Sequence, residues 1–356
     1  AFYEANITGG VEIPWCFRSI GDYAFTNCIG ISSVVVNNSN IGDYAFQGCR
    51  DLASLQLYSH GNYLDENNVR RYGMTTIGDF AFYSTANLAG RLIIPSAVSS
   101  IGRYAFAVHS RITELVIESE SALTEIGYAA FENCTQMAGE INVTSSLTHI
   151  YGHAFYGCSQ LTKITFMKDA GLQYVGDNAF YNCNRMNGDL DFPESVTYIG
   201  NDAFHGCTSL TRHITIQSAC DIGDYAFYGT KAVRVELNFP TSITEANPDD
   251  ESNYRYIGSY SFAGLPVYNN VHNDQNDPNG PCDEETDDVL IIPSYIYHIK
   301  EYAFEGCTGL RGLEIRIKSS YYPGLPYEAG IMDRAFSRSS VTSVIINNGY
   351  YNYIYN

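Results

Sequence analysis

Ten cysteines, eight histidines and one tract dense in acids and amides are the residues of this 356-residue sequence that could do chemistry. Seven of the cysteines, Cys28, Cys49, Cys134, Cys158, Cys183, Cys207 and Cys307, each stand three residues after a phenylalanine. One repeated position points successive Cβ vectors the same way, which is a poor arrangement for closing a disulfide. The seven therefore read as a ladder of small buried thiols. Cys16, Cys220 and Cys282 fall off the ladder, and a Cys16 to Cys28 bridge or a bond from the Cys282 loop is the alternative. There is no C-x-x-C pair to suggest zinc. The histidines form no H-E-x-x-H pair, and His149 and His153, four apart, sit in a segment without helical character. No Gly-x-Ser-x-Gly elbow and no phosphate loop occurs. The expectation is a protein with no catalytic residues, no resident metal and no cofactor.

The acid and amide tract runs from Asn269 to Gly280 and on through Asp283 to Glu285. Hard oxygen ligands at this density make Asp274, Asn276, Asp277 and Asp283 weak candidates for calcium. The D-x-[DN]-x-[DN]-G spacing fails, because Pro278 falls where a ligand is needed. An acidic loop without an ion is the reading preferred.

What positions these residues is a repeated stretch. Ile20-Gly21-Asp22-Tyr23-Ala24-Phe25 returns as Ile41-Gly42-Asp43-Tyr44-Ala45-Phe46, and looser copies place Phe at 2, 25, 46, 82, 106, 131, 155, 180, 204, 227, 262, 304 and 336. Most steps lie near 24 residues, as from Phe82 to Phe106. Such a unit is too short for a core of its own, and it is the mark of stacked coils. An alternating run follows each Phe, Leu161-Thr162-Lys163-Ile164-Thr165-Phe166 being a clear copy, and period two is a strand signal. Longer steps mark insertions near 59–75, 241–256, 265–288 and 318–330. Superimposed is a 49-residue period, Phe82 to Phe131 to Phe180, in which coils bearing Gly90, Gly139 and Gly188 alternate with coils that lack it. This second period implies growth by duplication of pairs.

The pattern I-G-x-x-A-F-x-x-C-x-x-L-x-x-I-x-I-P resembles the BspA-like leucine-rich repeats of bacterial and protist surface proteins, and the likeness covers nearly the whole chain. The resemblance implies an α/β solenoid: a right-handed superhelix of about 13 coils in one continuous domain, 1–356. A parallel sheet would form one face, with short helical or irregular turns on the other. It also implies an adhesive role at the cell surface or outside the cell. The family has no shared catalytic residues, so function must come from the surface.

On the exposed face of the strands one outward row reads Glu114, Glu140, Lys163, Asp189, His213, Arg234, and the row beside it Val116, Asn142, Thr165, Asp191, Thr215, Glu236. Opposite charges there can pair across neighbouring strands. A solvated polar face is the first reading, and a protein-binding surface is the alternative, motivated by a charge grading from acidic in the coil of Phe106 to more basic in that of Phe227. Of thirty tyrosines, several follow the Ala-Phe pair (Tyr3, Tyr83, Tyr156, Tyr181, Tyr228) and others precede it (Tyr23, Tyr44, Tyr104, Tyr225, Tyr302); they are expected to cover the turns and bond loop carbonyls, with an amphipathic contact surface as the alternative. A net charge of -19 argues against duplex nucleic acid and anionic membrane as partners. No apolar run approaches the length of a membrane span.

The ends suggest one further possibility. Ile354-Tyr355-Asn356 resembles the start of the repeated stretch, whose last letters are Ala1-Phe2. Ala1, Phe2, Tyr353, Ile354 and Tyr355 could therefore form an end-to-end contact that propagates into a head-to-tail homopolymer, unless the tyrosine-rich tail is itself a cap. Intracellular scaffolding is the remaining alternative.

Overall fold

The computed structural model describes residues 2–37, 39–58, 63–64, 70–71, 74–167, 169–240, 255–268, 289–293, 295–316, 330–347 and 352–355. The chain winds as a parallel-strand solenoid, each coil supplying one short strand and, in most coils, one longer strand. The short strands begin at Ser19–Ile20 and Asn40–Ile41 and end at Gly330–Ile331, and twelve of them form one unbroken parallel sheet. Twelve such strands enclose about eleven turns, fewer than the thirteen coils expected. Phe2 stacks on Phe25 but is itself exposed, and it has no short strand of its own in that sheet.

The core explains why the same residue must return. The thirteen repeated phenylalanines stack ring on ring from Phe2 to Phe336, with centroids 4.8 to 5.5 Å apart and no interruption. That interval matches the spacing of hydrogen-bonded strands, so each ring fills the layer of its own coil. Backbone bonds carry the same step: the Phe155 N–H donates to Ala179 O at 2.8 Å, and the Phe131 N–H to Ala154 O at 2.8 Å.

The turn face holds no helix among the described residues, which corrects the α/β expectation. The cause is a pair of left-handed residues in each turn. One stands two before the Phe, as Tyr44 (φ 57°) and Tyr104 (φ 53°), and the other two after it, as Asn133 (φ 56°) and Gly157 (φ 69°). Helical backbone needs consecutive negative φ, so the turn folds back on itself instead.

The longer strands form a broken face. Ala89–Ile94 pairs with Arg111–Ile117, and Gly139–Val143 with Leu161–Phe166, while Leu190–Phe192 begins a separate four-stranded sheet. Three of the four breaks fall just ahead of Gly90, Gly139 or Gly188, whose φ values are 84°, 97° and 126°, and the fourth separates Val267–Tyr268 from Val289–Ile292. The three glycines are those of the 49-residue period, which thus has a structural meaning as well as a history. The second strand of a pair compensates with an extra residue: Thr113 and Thr162 lie at register shifts. Of the insertion near 59–75, Tyr63–Leu64 and Arg70–Arg71 form an antiparallel pair.

Candidate functional site

The outward rows of the long strands lie where the alternation placed them. Leu115, Ile141, Ile164, Leu190, Ile214 and Val235 are buried, and the predicted residues between them are exposed or half-buried. Glu140 is registered with Lys163, Asn142 with Thr165, Asp191 with Thr215, Thr215 with Glu236, and His213 with Arg234. Glu114 is separated from this set by the break ahead of Gly139, across which one bridge, to Ala138, remains.

The charges pair as expected. Lys163 Nζ is 3.5 Å from Glu140 Oε1, and Thr165 Oγ1 donates to the same carboxylate. Arg91 Nε lies 3.3 Å from Glu114 Oε2. The backbone N–H of His213 donates to Asp189 Oδ1 at 3.2 Å, with the imidazole 4.0 Å away. Arg234 and Glu236 pair along one strand at 2.5 Å. Exposed pairs of this kind contribute about 0.2–1 kcal/mol each, too little to explain the face as a stabilising device. Their effect is to fix side-chain positions on a surface that a partner can read.

The tyrosines depart from expectation. On the turn face they stack on one another rather than chiefly bonding loop carbonyls. Tyr23 to Tyr44 is 4.8 Å, Tyr44 to Phe80 4.9 Å and Phe80 to Tyr104 4.9 Å; farther along, Tyr225 to Tyr260 is 5.1 Å and Tyr260 to Tyr302 4.8 Å. A stack offsets the strain of a bulky residue in the left-handed region, since aromatic contacts contribute about 0.5–1.5 kcal/mol each. Sequence reasoning missed this stripe, although the spacing Gly-x-Tyr-Ala-Phe carried the signal.

The cysteine ladder is present and reduced. Each of the seven thiols donates to the carbonyl of the Phe one coil earlier, from Cys28 to Phe2 at 2.8 Å through Cys307 to Phe262 at 3.0 Å. Cys16 is exposed and free, so no Cys16 to Cys28 bridge exists. Burial pushes the Cys49, Cys134 and Cys207 thiols up to about 12. Other coils fill the ladder position otherwise: Thr230 Oγ1 donates to Phe227 O at 2.8 Å, Thr85 Oγ1 lies 2.8 Å from Phe82 O, and His109 follows Thr85, with Nε2 2.5 Å from Thr85 Oγ1 and Nδ1 2.8 Å from Phe106 O. His149 and His153 belong to different ring stacks, the first against Tyr174 and the second between Tyr128 and Tyr156.

Among the described residues no group of three or more His, Cys, Asp or Glu could hold a metal ion, and no helix is long and apolar enough to cross a membrane. Asp274, Asn276, Asp277, Asp283, Cys282 and Ala1 lie outside the described residues. Asn352–Tyr355 runs antiparallel along Ser343–Asn347, with Ile354 opposite Ile345 and Tyr353 opposite Ile346. Tyr353, Ile354 and Tyr355 thus pair within the long-strand sheet and not in the short-strand sheet.

Residues 1–72, 75–210, 138–249, 173–272 and 288–356 match the family profile described as the BspA type leucine rich repeat region. The chain belongs to this family. As a BspA-type repeat protein it is also similar in fold to solved leucine-rich repeat structures. One from Bacteroides ovatus shares 18% identity over 87% of each chain, with a TM-score of 0.47. One from T. pallidum shares 24% identity over 50% of this chain and 77% of its own, with a TM-score of 0.41. A leucine rich cell surface protein from Faecalibacterium prausnitzii shares 20% identity over 83% and 86%, with a TM-score of 0.35. A comparison with curated proteins gives no match.

Proposed function

We propose that this BspA-type repeat protein works by binding, not catalysis, and presents its long-strand face to a protein partner at the cell surface or outside the cell. The observation that carries the reading is the outward set registered within two neighbouring sheets, Glu140 with Lys163 in one and Asp191 with Thr215 and His213 with Arg234 in the next, all exposed or half-buried. Its acids and bases are held apart from the apolar core by strict alternation, so side chains on this face can vary without disturbing the fold. The surface and adhesive setting follows from what membership of the family implies.

The test is adhesion of the immobilised protein to a panel of purified matrix proteins. Saturable binding is expected to at least one, with a loss of about tenfold or more in Glu140→Lys/Asp191→Lys, since like charges set against a complementary surface are strongly unfavourable. Undiminished binding by that variant, with thermal unfolding unchanged, would move the site off this face.

A further inference from the structure

A second face has the chemistry of a different recognition event. A groove of about 550 Å³ runs across successive coils beside the short-strand sheet, from the coil of Ile41 to that of Tyr151. Asp43, Asp79 and Glu125 line it, and Tyr128 and Tyr151 stand at one end. Its floor is low because Gly42, Gly78, Gly102 and Gly127 lie along it. A Cβ at Gly102 would come within 2.5 Å of Asp79 N and 2.7 Å of its carboxylate, so no side chain can stand there.

The carboxylates are half engaged. Asp43 Oδ1 accepts the Asp79 N–H at 2.8 Å, and Asp79 Oδ1 accepts the Arg103 N–H at 2.7 Å. These bonds use one oxygen of each and fix its orientation. The other oxygen of Asp79 is met by a guanidinium of the chain itself: Arg103 Nε lies 3.0 Å from Asp79 Oδ2. Arg103 remains mostly exposed while doing so. The same preference shows elsewhere on the face, where Arg334 donates to the Tyr302 hydroxyl at 2.6 Å with its guanidinium 5.8 Å from the ring centre. Lys300 does likewise, with Nζ 3.0 Å from Asp224 Oδ1 and 4.8 Å from the centre of the Tyr256 ring, so cations of the chain itself lie on acid and tyrosine here.

We propose that the groove takes an extended, arginine-rich segment of a partner protein. Guanidinium groups would engage Asp43 and Glu125 as Arg103 engages Asp79, and would lie against Tyr128 or Tyr151. Arginine suits the site better than lysine, since its planar fork matches carboxylates and stacks on rings. Four coil steps at about 4.8 Å give a groove of about 19 Å, and at about 3.3 Å per residue that accommodates about six residues of extended chain. Asp43 and Glu125, three steps apart at about 14 Å, would meet arginines about four residues apart. Arg103 then acts as an internal competitor that occupies one carboxylate until a partner is bound. This proposal is independent of the strand face.

The probe is a fluorescein-labelled nona-arginine peptide, followed by anisotropy with the full chain. Asp43→Asn/Glu125→Gln is expected to weaken binding by about tenfold or more, since hydrogen bonds to charged groups are lost. Asn at 43 retains an acceptor for the Asp79 N–H, and the urea midpoint reports whether the fold is intact. Glu114→Gln/Asp191→Asn removes the same charge from the strand face and is expected to change affinity less than about twofold, because distant exposed charges are screened. Arg103→Gln frees Asp79 and is expected to tighten binding several-fold. Equal losses in the two double variants would reduce the effect to bulk charge and overturn the proposal, as would weaker or unchanged binding by Arg103→Gln.

Discussion

The thiol of Cys158 donates to the carbonyl of Phe131, 3.1 Å away and one coil earlier, and the thiols of Cys134, Cys183 and Cys207 repeat that bond in their own coils. The ladder is thus a line of weak hydrogen bonds as well as small apolar volumes. It gives each carbonyl a second bond beside the one it already accepts, as Phe131 O does from the Cys134 N–H at 3.2 Å and Phe155 O from the Cys158 N–H at 3.1 Å.

Thiol chemistry should divide sharply between positions. In a Cys282→Ser background, an aromatic disulfide reagent at neutral pH is expected to react promptly with Cys16 alone among the described cysteines, the rest reacting only in urea. Prompt labelling of Cys158 or Cys183, located by peptide mapping, would contradict the buried ladder. Stability should also depend on alkaline pH. Burial raises the folded-state thiols to about 12 at Cys49, Cys134 and Cys207, whereas unfolded thiols ionise near about 8.5. Above that value the unfolded chain sheds protons that the folded chain keeps. The contribution is complete below about pH 8.5 and is lost as pH rises toward about 12. Urea midpoints are expected to fall steadily from pH 8 upward, and less so in Cys134→Ala/Cys207→Ala.

Removing one ring from the middle of the phenylalanine stack should cost far more than removing one at its end. Phe131 is fully buried between Phe106 and Phe155, and Phe131→Ala is expected to destabilise by about 3–5 kcal/mol. Phe336, half-buried against Phe304, should lose less than half of that. Equilibrium urea unfolding measures both.

His109 should confer a loss of stability in acid. Burial lowers its pKa, and in the neutral ring the Nδ1–H donates to Phe106 O while Nε2 accepts from the Thr85 hydroxyl. The unfolded histidine protonates near about 6.5 while the folded one resists. The contribution is therefore present above that value and lost as pH falls below it. Thermal midpoints between pH 7 and 5 should fall in the wild type and fall less in His109→Cys, which restores the residue type of the ladder. An identical acid dependence in the variant would remove His109 as the cause.

Glycines that look alike in sequence should differ in tolerance. A Cβ at Gly176 would lie 2.3 Å from Gly152 N, whereas Gly139 has open space around it and only a φ of 97° to restrict it. Gly139→Ala is expected to cost about 1–2 kcal/mol in backbone strain. Gly176→Ala must displace a neighbouring coil and should cost more, measured as the difference in urea midpoints.

Much of this could be read from the sequence because stacking demands identity. Phe must lie on Phe and a small thiol on a carbonyl one layer away, so the layer spacing appears directly as letters at fixed intervals. Rows such as Glu140 and Lys163 were legible from alternation alone. The left-handed turns were not, because Tyr44, Tyr104 and Ala129 occupy φ values that their residue types ordinarily avoid, and the turns therefore read only as short helical or irregular. The groove escaped notice for another reason. Asp43, Asp79 and Glu125 are separated by whole coils in sequence and become neighbours only once the register is known.

The two sheets differ in continuity, and that difference has a mechanical side. The short-strand sheet is one uninterrupted band, whereas the opposite band is cut ahead of Gly90, Gly139 and Gly188. A load along the axis would meet a stiff edge on one side and a segmented, compliant edge on the other. The body would flex in one plane, opening between coil pairs on the face proposed for the partner while its spine keeps its length.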